Sequence, residues 1–123
     1  MILAHGGEKK MTNSILNSVK ESIGIAEEYT HFDNTLIMHI NSVFVILNQI
    51  GVGPENGFSI SDGTAQWSDF LPEDNKNYEA VKSYMGAKVR LMFDPPTGSV
   101  HMECLKQIIS ELEWRLNLEH EST

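Results

Sequence analysis

His101 and Cys104 stand three residues apart in a stretch of helical periodicity, a spacing that sets two metal-binding donors on one helix face. A zinc site needs three or four protein ligands, and no Cys-x-x-Cys or His-Glu-x-x-His spacing supplies the others. His31 and His39 are eight apart, two helical turns, too far to share an ion. Asp33, Asp62, Asp69 and Asp94 fall at expected helix starts or turns, where aspartate serves local hydrogen bonding. They do not suggest a catalytic carboxylate pair. The chain carries no Gly-x-Gly-x-x-Gly, no phosphate-binding loop and no Gly-x-Ser-x-Gly. The expectation is a protein that is not an enzyme, with no catalytic residue, no cofactor and no metal.

The residues that stand out are suited to contact rather than catalysis. Near the C-terminus, Leu105, Ile109, Leu112 and Leu116 form one helical stripe, and Val100, Ile108, Trp114 and Leu118 fall partly off it. Either the core face is broad and the tryptophan ordinary, or a second face packs on another chain. On the second reading Trp114, Arg115 and Leu118 are the candidate interface, because tryptophan and arginine are common interface anchors. A second set, Phe58, Ile60, Trp67 and Phe70, lies in a long segment without helical periodicity. These four either close one end of a bundle or form a contact surface for a partner or a neighbouring copy.

Four helices must position these residues. The first is expected from Asn13 or Ser14 to Ile23, striped by Leu16, Val19 and Ile23 and stopped by Gly24. After a connector from Ile25 to Phe32, Asp33 offers a capping oxygen to the second helix. Its face is Leu36, Ile40, Val43, Phe44, Leu47 and Ile50, and it ends at Gly51. The third covers about Asn75 to Phe93. Pro95-Pro96 cannot continue it, so the fourth starts between Asp94 and Ser99 and runs to about Leu118. Between the second and third helices, Val52 to Asp74 is longer than packing requires. There Phe58 and Ile60 alternate with Ser59 and Ser61, Asp62-Gly63 is a hairpin signal, Thr64 to Trp67 could return, and Ser68 to Pro72 reads as loop. The fold class expected is all-α, a small four-helix domain with a long loop that has the option of a short β-hairpin.

Composition sets the outer bounds. At 123 residues the chain fits one domain, and 41% hydrophobic residues is ordinary for a folded protein. No apolar run approaches the roughly 20 residues of a membrane span, and none resembles a signal-peptide core. The single cysteine excludes an intrachain disulfide and fits a reducing cytoplasm. With 17 acidic against 9 basic residues the net charge is −8, which gives no footprint for gripping a phosphate backbone.

Residues 1–10 are expected to be an extension and residues 11–123 a single helical domain. Gly6-Gly7-Glu8-Lys9-Lys10 before Met11 can be encoded by a run containing GGAGGTGA, a bacterial ribosome-binding sequence just ahead of a methionine codon. Translation would then begin at Met11. The other reading is an ordinary polar tail or a cloning remnant. On either, Met1 to Lys10 has no periodicity and carries no function.

One ordered set of segments goes further. It comprises Ile15-Leu16-Asn17-Ser18-Val19-Lys20, Tyr29-Thr30-His31-Phe32-Asp33, Ile40-Asn41-Ser42-Val43-Phe44 and Leu47-Asn48-Gln49-Ile50-Gly51-Val52-Gly53. Phe58-Ser59-Ile60, Leu91-Met92-Phe93-Asp94-Pro95-Pro96 and Ser110-Glu111-Leu112-Glu113-Trp114-Arg115-Leu116 complete it. Together these resemble the small head–tail connector (adaptor) proteins of tailed bacteriophages and prophages of Gram-positive bacteria. The resemblance implies a four-helix domain that joins a homo-oligomeric ring, dodecameric on the virion, under the portal protein. That ring extends the DNA channel and offers a docking surface to the next tail-completion (stopper) protein. It also implies residence at the head–tail interface of the virion, after assembly in the host cytoplasm, with DNA passing through unbound and no membrane involved. The family has no catalytic residue to carry over, and its fourth-helix region supports portal docking, which is where Trp114, Arg115 and Leu118 fall. The alternative is a small acidic helical regulator or antitoxin-like module acting through a protein partner.

Overall fold

Hydrophobic periodicity becomes five helices in a computed structural model that describes residues 13–122. The expectation about Met1 to Lys10 lies outside the described residues. The helices are α1 (Ile15–Ser22), α2 (Asp33–Gln49), α3 (Trp67–Phe70), α4 (Tyr78–Phe93) and α5 (Ser99–Ser122). Among the described residues there is no sheet, only one isolated antiparallel bridge between Ser14 and Gln66. The fold is all-α. The four helices expected from the sequence are α1, α2, α4 and α5; α3 is a single extra turn inside the long loop.

Local chemistry explains the boundaries. Ser14 caps α1, its Oγ accepting from the Asn17 N–H at 3.2 Å while donating to the Gly63 carbonyl at 2.7 Å. At the end of α2 the Val52 N–H donates to the Leu47 carbonyl and the Gly51 N–H to the Asn48 carbonyl. Gly51 has φ +86°, the left-handed conformation that glycine adopts without a side-chain penalty. The same pair of bonds closes α1, from Ile25 to Lys20 and from Gly24 to Glu21. Helix α4 begins at Tyr78 rather than Asn75, because the Asn75 side chain accepts from the Asn77 N–H at 2.8 Å and holds a turn there. Past Asp94 the two prolines break the chain, and α5 starts at Ser99 and continues beyond Leu118 to Ser122.

Asp33 has another task than the expected cap. The N-cap position of α2 is Phe32, with no side-chain cap bond, and Asp33 is the first helical residue. Its carboxylate accepts from Lys20 Nζ at 2.8 Å. Lys20 is 1% exposed and also donates to the Glu27 carbonyl at 2.8 Å. A buried ammonium needs such partners, and this one ties α1 to the start of α2 and to the connector between them.

The core is one cluster. Leu36, Ile40, Val43, Phe44 and Leu47 of α2 meet Ile15, Leu16 and Val19 of α1 and Val81, Tyr84, Met85 and Val89 of α4. Helix α5 adds Ile109 and Leu116 fully, and Leu105 and Leu112 in part, packing chiefly against α4.

The long loop belongs to this core. No hairpin forms among the described residues: Asp62 Oδ1 accepts from both the Thr64 N–H and hydroxyl, so Asp62-Gly63-Thr64 closes as a local side-chain turn. The segment expected to be plain loop after Trp67 instead makes α3, with Asp69 Oδ2 accepting from the Gln66 N–H at 2.9 Å. Two asparagines of α2 satisfy much of the loop backbone. Asn41 exchanges two bonds with Ile60, at 2.8 and 3.0 Å, and Asn48 Nδ2 donates to the carbonyls of Pro54 and Glu55.

Gly53 shows how closely this loop is fitted. It has φ +94°, and a Cβ there would run into the Phe70 ring. Gly53→Ala should therefore lower stability by about 2–4 kcal/mol, combining left-handed strain with overpacking. Urea unfolding checks this, and a loss below about 1 kcal/mol would mean that the loop yields.

Candidate docking surface

The two sets of contact residues singled out in the sequence have opposite fates. Trp67 is 1% exposed; its Nε1 donates to Ser18 Oγ at 2.8 Å, and its ring lies 6.2 Å from Phe44 and 6.5 Å from Phe70. Phe70 and Ile60 are buried, and Phe58 is partly buried with its ring 5.0 Å from Phe44. These four close the bundle around Phe44 within the single chain.

The C-terminal set faces outward. Trp114 is 63% exposed, Leu118 46%, Ile108 50% and Val100 72%. With roughly 3.6 residues per turn, Val100, Trp114 and Leu118 lie on the side of α5 away from Ile109 and Leu116. Trp114 forms a ridge between two open grooves. One, of about 390 Å³, is lined along α5 by Glu103, Lys106, Gln107, Ser110 and Glu111. The other, of about 360 Å³, runs between α5 and the end of α2, where Ile46 and Ile50 form its far wall. A large aromatic flanked by shallow concavities, with aliphatic neighbours, suits a hot spot. Arg115 is exposed and donates through Nε and Nη2 to Glu111, at 3.2 and 2.8 Å. Such a surface pair is worth about 0–1 kcal/mol in water, so either residue can re-pair with a partner at small cost.

Other features depend on contacts between residues distant in sequence. Glu113 interrupts the inner stripe of α5 at the spacing Ile109, Glu113, Leu116. Its Oε2 accepts from the Tyr84 hydroxyl at 2.7 Å and lies 3.6 Å from Lys88 Nζ. A carboxylate in register with apolar positions was the available signal. Lys20 offered the same signal in α1, four residues after Leu16. At the connector between α1 and α2, Tyr29, His31 and Phe32 form an aromatic group that reaches Phe93 at the end of α4, the Phe32 and Phe93 rings being 5.2 Å apart. His39 joins it, 6.3 Å from Phe93.

The candidate metal donors gather no third partner. His101 and Cys104 line one cleft of about 480 Å³ with Arg90, Pro96 and Ile108. Among the described residues no three His, Cys, Asp or Glu side chains are grouped to hold an ion. None of the helices among them is long and apolar enough to cross a membrane.

Tyr84 carries the clearest electrostatic signature. Burial, followed by the hydrogen bond to Glu113 and that carboxylate's charge, pushes its phenol well above the usual value. The folded state thus keeps this proton at pH values where the unfolded chain has released it. Its contribution to stability is complete below about pH 10, the unfolded value, and is lost as pH rises through the higher folded value. Stability should fall more steeply above about pH 10 in the parent protein than in Tyr84→Phe. Urea melts across that range check this, and parallel slopes would contradict it.

Comparison with known proteins places this helical scaffold in a family. No curated protein and no solved structure matches the chain. A family model described as phage connector protein matches residues 15–123, nearly the whole of the described chain. By that match the chain belongs to the phage connector protein family.

Proposed function

We propose that this chain is a structural head–tail connector subunit without enzymatic activity. In this reading it assembles as a homo-oligomeric ring under the portal protein, extends the DNA channel and presents a docking surface to the next tail-completion protein. It works at the head–tail interface of the virion and assembles in the host cytoplasm. Family membership supports the connector role in general. The observation that carries the specific reading is the exposed Trp114 on the outward side of α5, with Leu118 one turn on and Val100 near the start of the helix.

Trp114, Arg115 and Leu118 are assigned to the portal contact. Their exposure means that docking needs no rearrangement of the core, and a tryptophan ridge over two grooves gives a partner both a knob and recesses to fill. Phe58, Ile60, Trp67 and Phe70 serve docking indirectly, by fixing the long loop over the core. The net charge of −8 suits a conduit, since DNA that must slide through should not be held.

Trp114→Ala should leave a cooperative thermal transition near that of the parent while weakening binding to the portal ring of the same phage by about 2–4 kcal/mol. Titration calorimetry beside a thermal melt separates the two effects. Loss of the fold together with binding would make Trp114 a core residue. In the same preparations, sub-micromolar binding to duplex DNA at physiological salt would contradict a passive conduit and favour a regulator.

A further inference from the structure

We propose that the cleft between α4 and α5 that holds Arg90 receives the Glu73-Asp74 turn of a second copy of this chain. Such a contact joins two different surfaces head to tail, and it makes a ring where the repeated rotation closes. Its use in the virion ring rests on the connector reading given above.

Charge is unevenly spread along the chain. From Gly51 to Asp74 there are five carboxylates, Glu55, Asp62, Asp69, Glu73 and Asp74, and no lysine, arginine or histidine. Asp62 and Asp69 are engaged locally, by Thr64 and by the Gln66 N–H. Glu73 and Asp74 stand exposed side by side, in a turn where the Asn75 N–H donates to the Pro72 carbonyl at 3.0 Å. Leu71 before this turn and Tyr78 after it are buried, which holds the two carboxylates ready for a partner at little ordering cost.

The complementary surface is cationic and partly apolar. Lys20, Lys82, Lys88 and Arg115 each pair with a carboxylate of their own chain. Arg90, in the last turn of α4, has no ion pair among the described residues, not even with Asp94 four residues on. A cation there suits the helix end, yet its side chain also lines the cleft of about 480 Å³, and none of the lining residues is a carboxylate. Lys106 is unpaired as well, but its groove already contains Glu103 and Glu111. Beside Arg90 and His101 the cleft wall is Pro96, Leu105 and Ile108, the last 50% exposed. Arginine binds carboxylates through a two-pronged fork. A fork beside an apolar wall matches a proline followed by two carboxylates.

One chain cannot fill its own cleft in this way. The turn leads directly into α4 at Tyr78, and Arg90 lies 12 residues further, about 18 Å along the helix at 1.5 Å per residue. The two surfaces stand toward opposite ends of α4, so another molecule must bring them together. A second copy of this chain carries the missing half. The charge of −8 on each copy opposes their approach, so the contact between free chains is weak. Trp114 lies outside this cleft and stays available for docking.

Cys104 is exposed and lines the same cleft, so a nitroxide attached to it reports what enters. The spin-labelled chain is mixed with an isotope-labelled copy carrying Cys104→Ser, and paramagnetic broadening is read by nuclear magnetic resonance, which senses weak contacts. Amide signals of Glu73, Asp74 and Asn75 in the second copy should be lost selectively. Arg90→Glu in the spin-labelled chain should abolish that loss, and so should Glu73→Lys with Asp74→Lys in the other. Mixing the two reversed chains should bring it back, which a role in folding alone would not do. No selective loss at the turn, or a loss that survives Arg90→Glu, overturns the contact. Should Arg90→Glu fail to fold, the reversed turn decides alone, and a loss that survives it overturns the contact equally. On the portal, Arg90→Glu should reduce the number of copies bound. Broadening in solution beside an undiminished Arg90→Glu ring would uphold the contact and count against its use in the ring. A parent chain that shows the broadening but never assembles on the portal would count against the connector reading alone.

Discussion

Helix α5 meets the rest of the molecule chiefly through α4, and that one packing interaction governs what the protein can offer to others. Ile109 and Leu116 are its fully buried side chains, with Leu105 and Leu112 packed in part. A helix of 24 residues held along one side necessarily presents the other. In a chain rich in leucine and isoleucine that other side would ordinarily be polar. Here it carries a tryptophan, a valine and a leucine, and the structure leaves them in water. These three stand among Glu103, Gln107, Ser110 and Glu111 on that side, and no neighbouring helix covers them.

The remainder of the fold keeps that arrangement rigid. Trp67 and Phe70 come back from the long loop to pack on Phe44, and Asn41 and Asn48 hold the loop backbone to α2. Lys20 and Asp33 join α1 to α2. With these elements fixed, α4 presents an unvarying seat to α5. The proline break sets where α5 starts, its inner leucines and isoleucine rest on α4, and the Tyr84–Glu113 bond ties the two helices further along. The loop and the first three long helices make most of the core; α5 adds Ile109 and Leu116 to it and leaves Val100, Trp114 and Leu118 exposed.

Much of this was legible in the sequence. Glycines and prolines placed the helix ends at Gly24, Gly51 and Pro95, because backbone geometry at those residues is settled locally. Apolar periodicity gave the stripes of α2, α4 and α5 for the same reason. The off-stripe position of Trp114 and Leu118 marked the exposed face. The long loop was less legible. Alternation of Phe58 and Ile60 with serines reads as a strand, yet the partner that satisfies Ile60 is the side chain of Asn41, distant in sequence. Asp33 reads as a cap, yet a lysine 13 residues earlier claims its carboxylate. Interactions fixed by tertiary neighbours leave no periodic trace. Glu113 left one, a carboxylate beside an apolar stripe, but its meaning depends on Tyr84, 29 residues away.

If α5 docks as proposed, its outward side is covered in the assembled particle. An electron cryomicroscopy reconstruction of the portal ring saturated with this protein addresses it most directly. Density from another chain should lie over Val100, Trp114 and Leu118, while Trp67 and Phe70 stay enclosed within their own subunit. A ring in which that face of α5 remains in solvent, with the contacts made elsewhere, would contradict it.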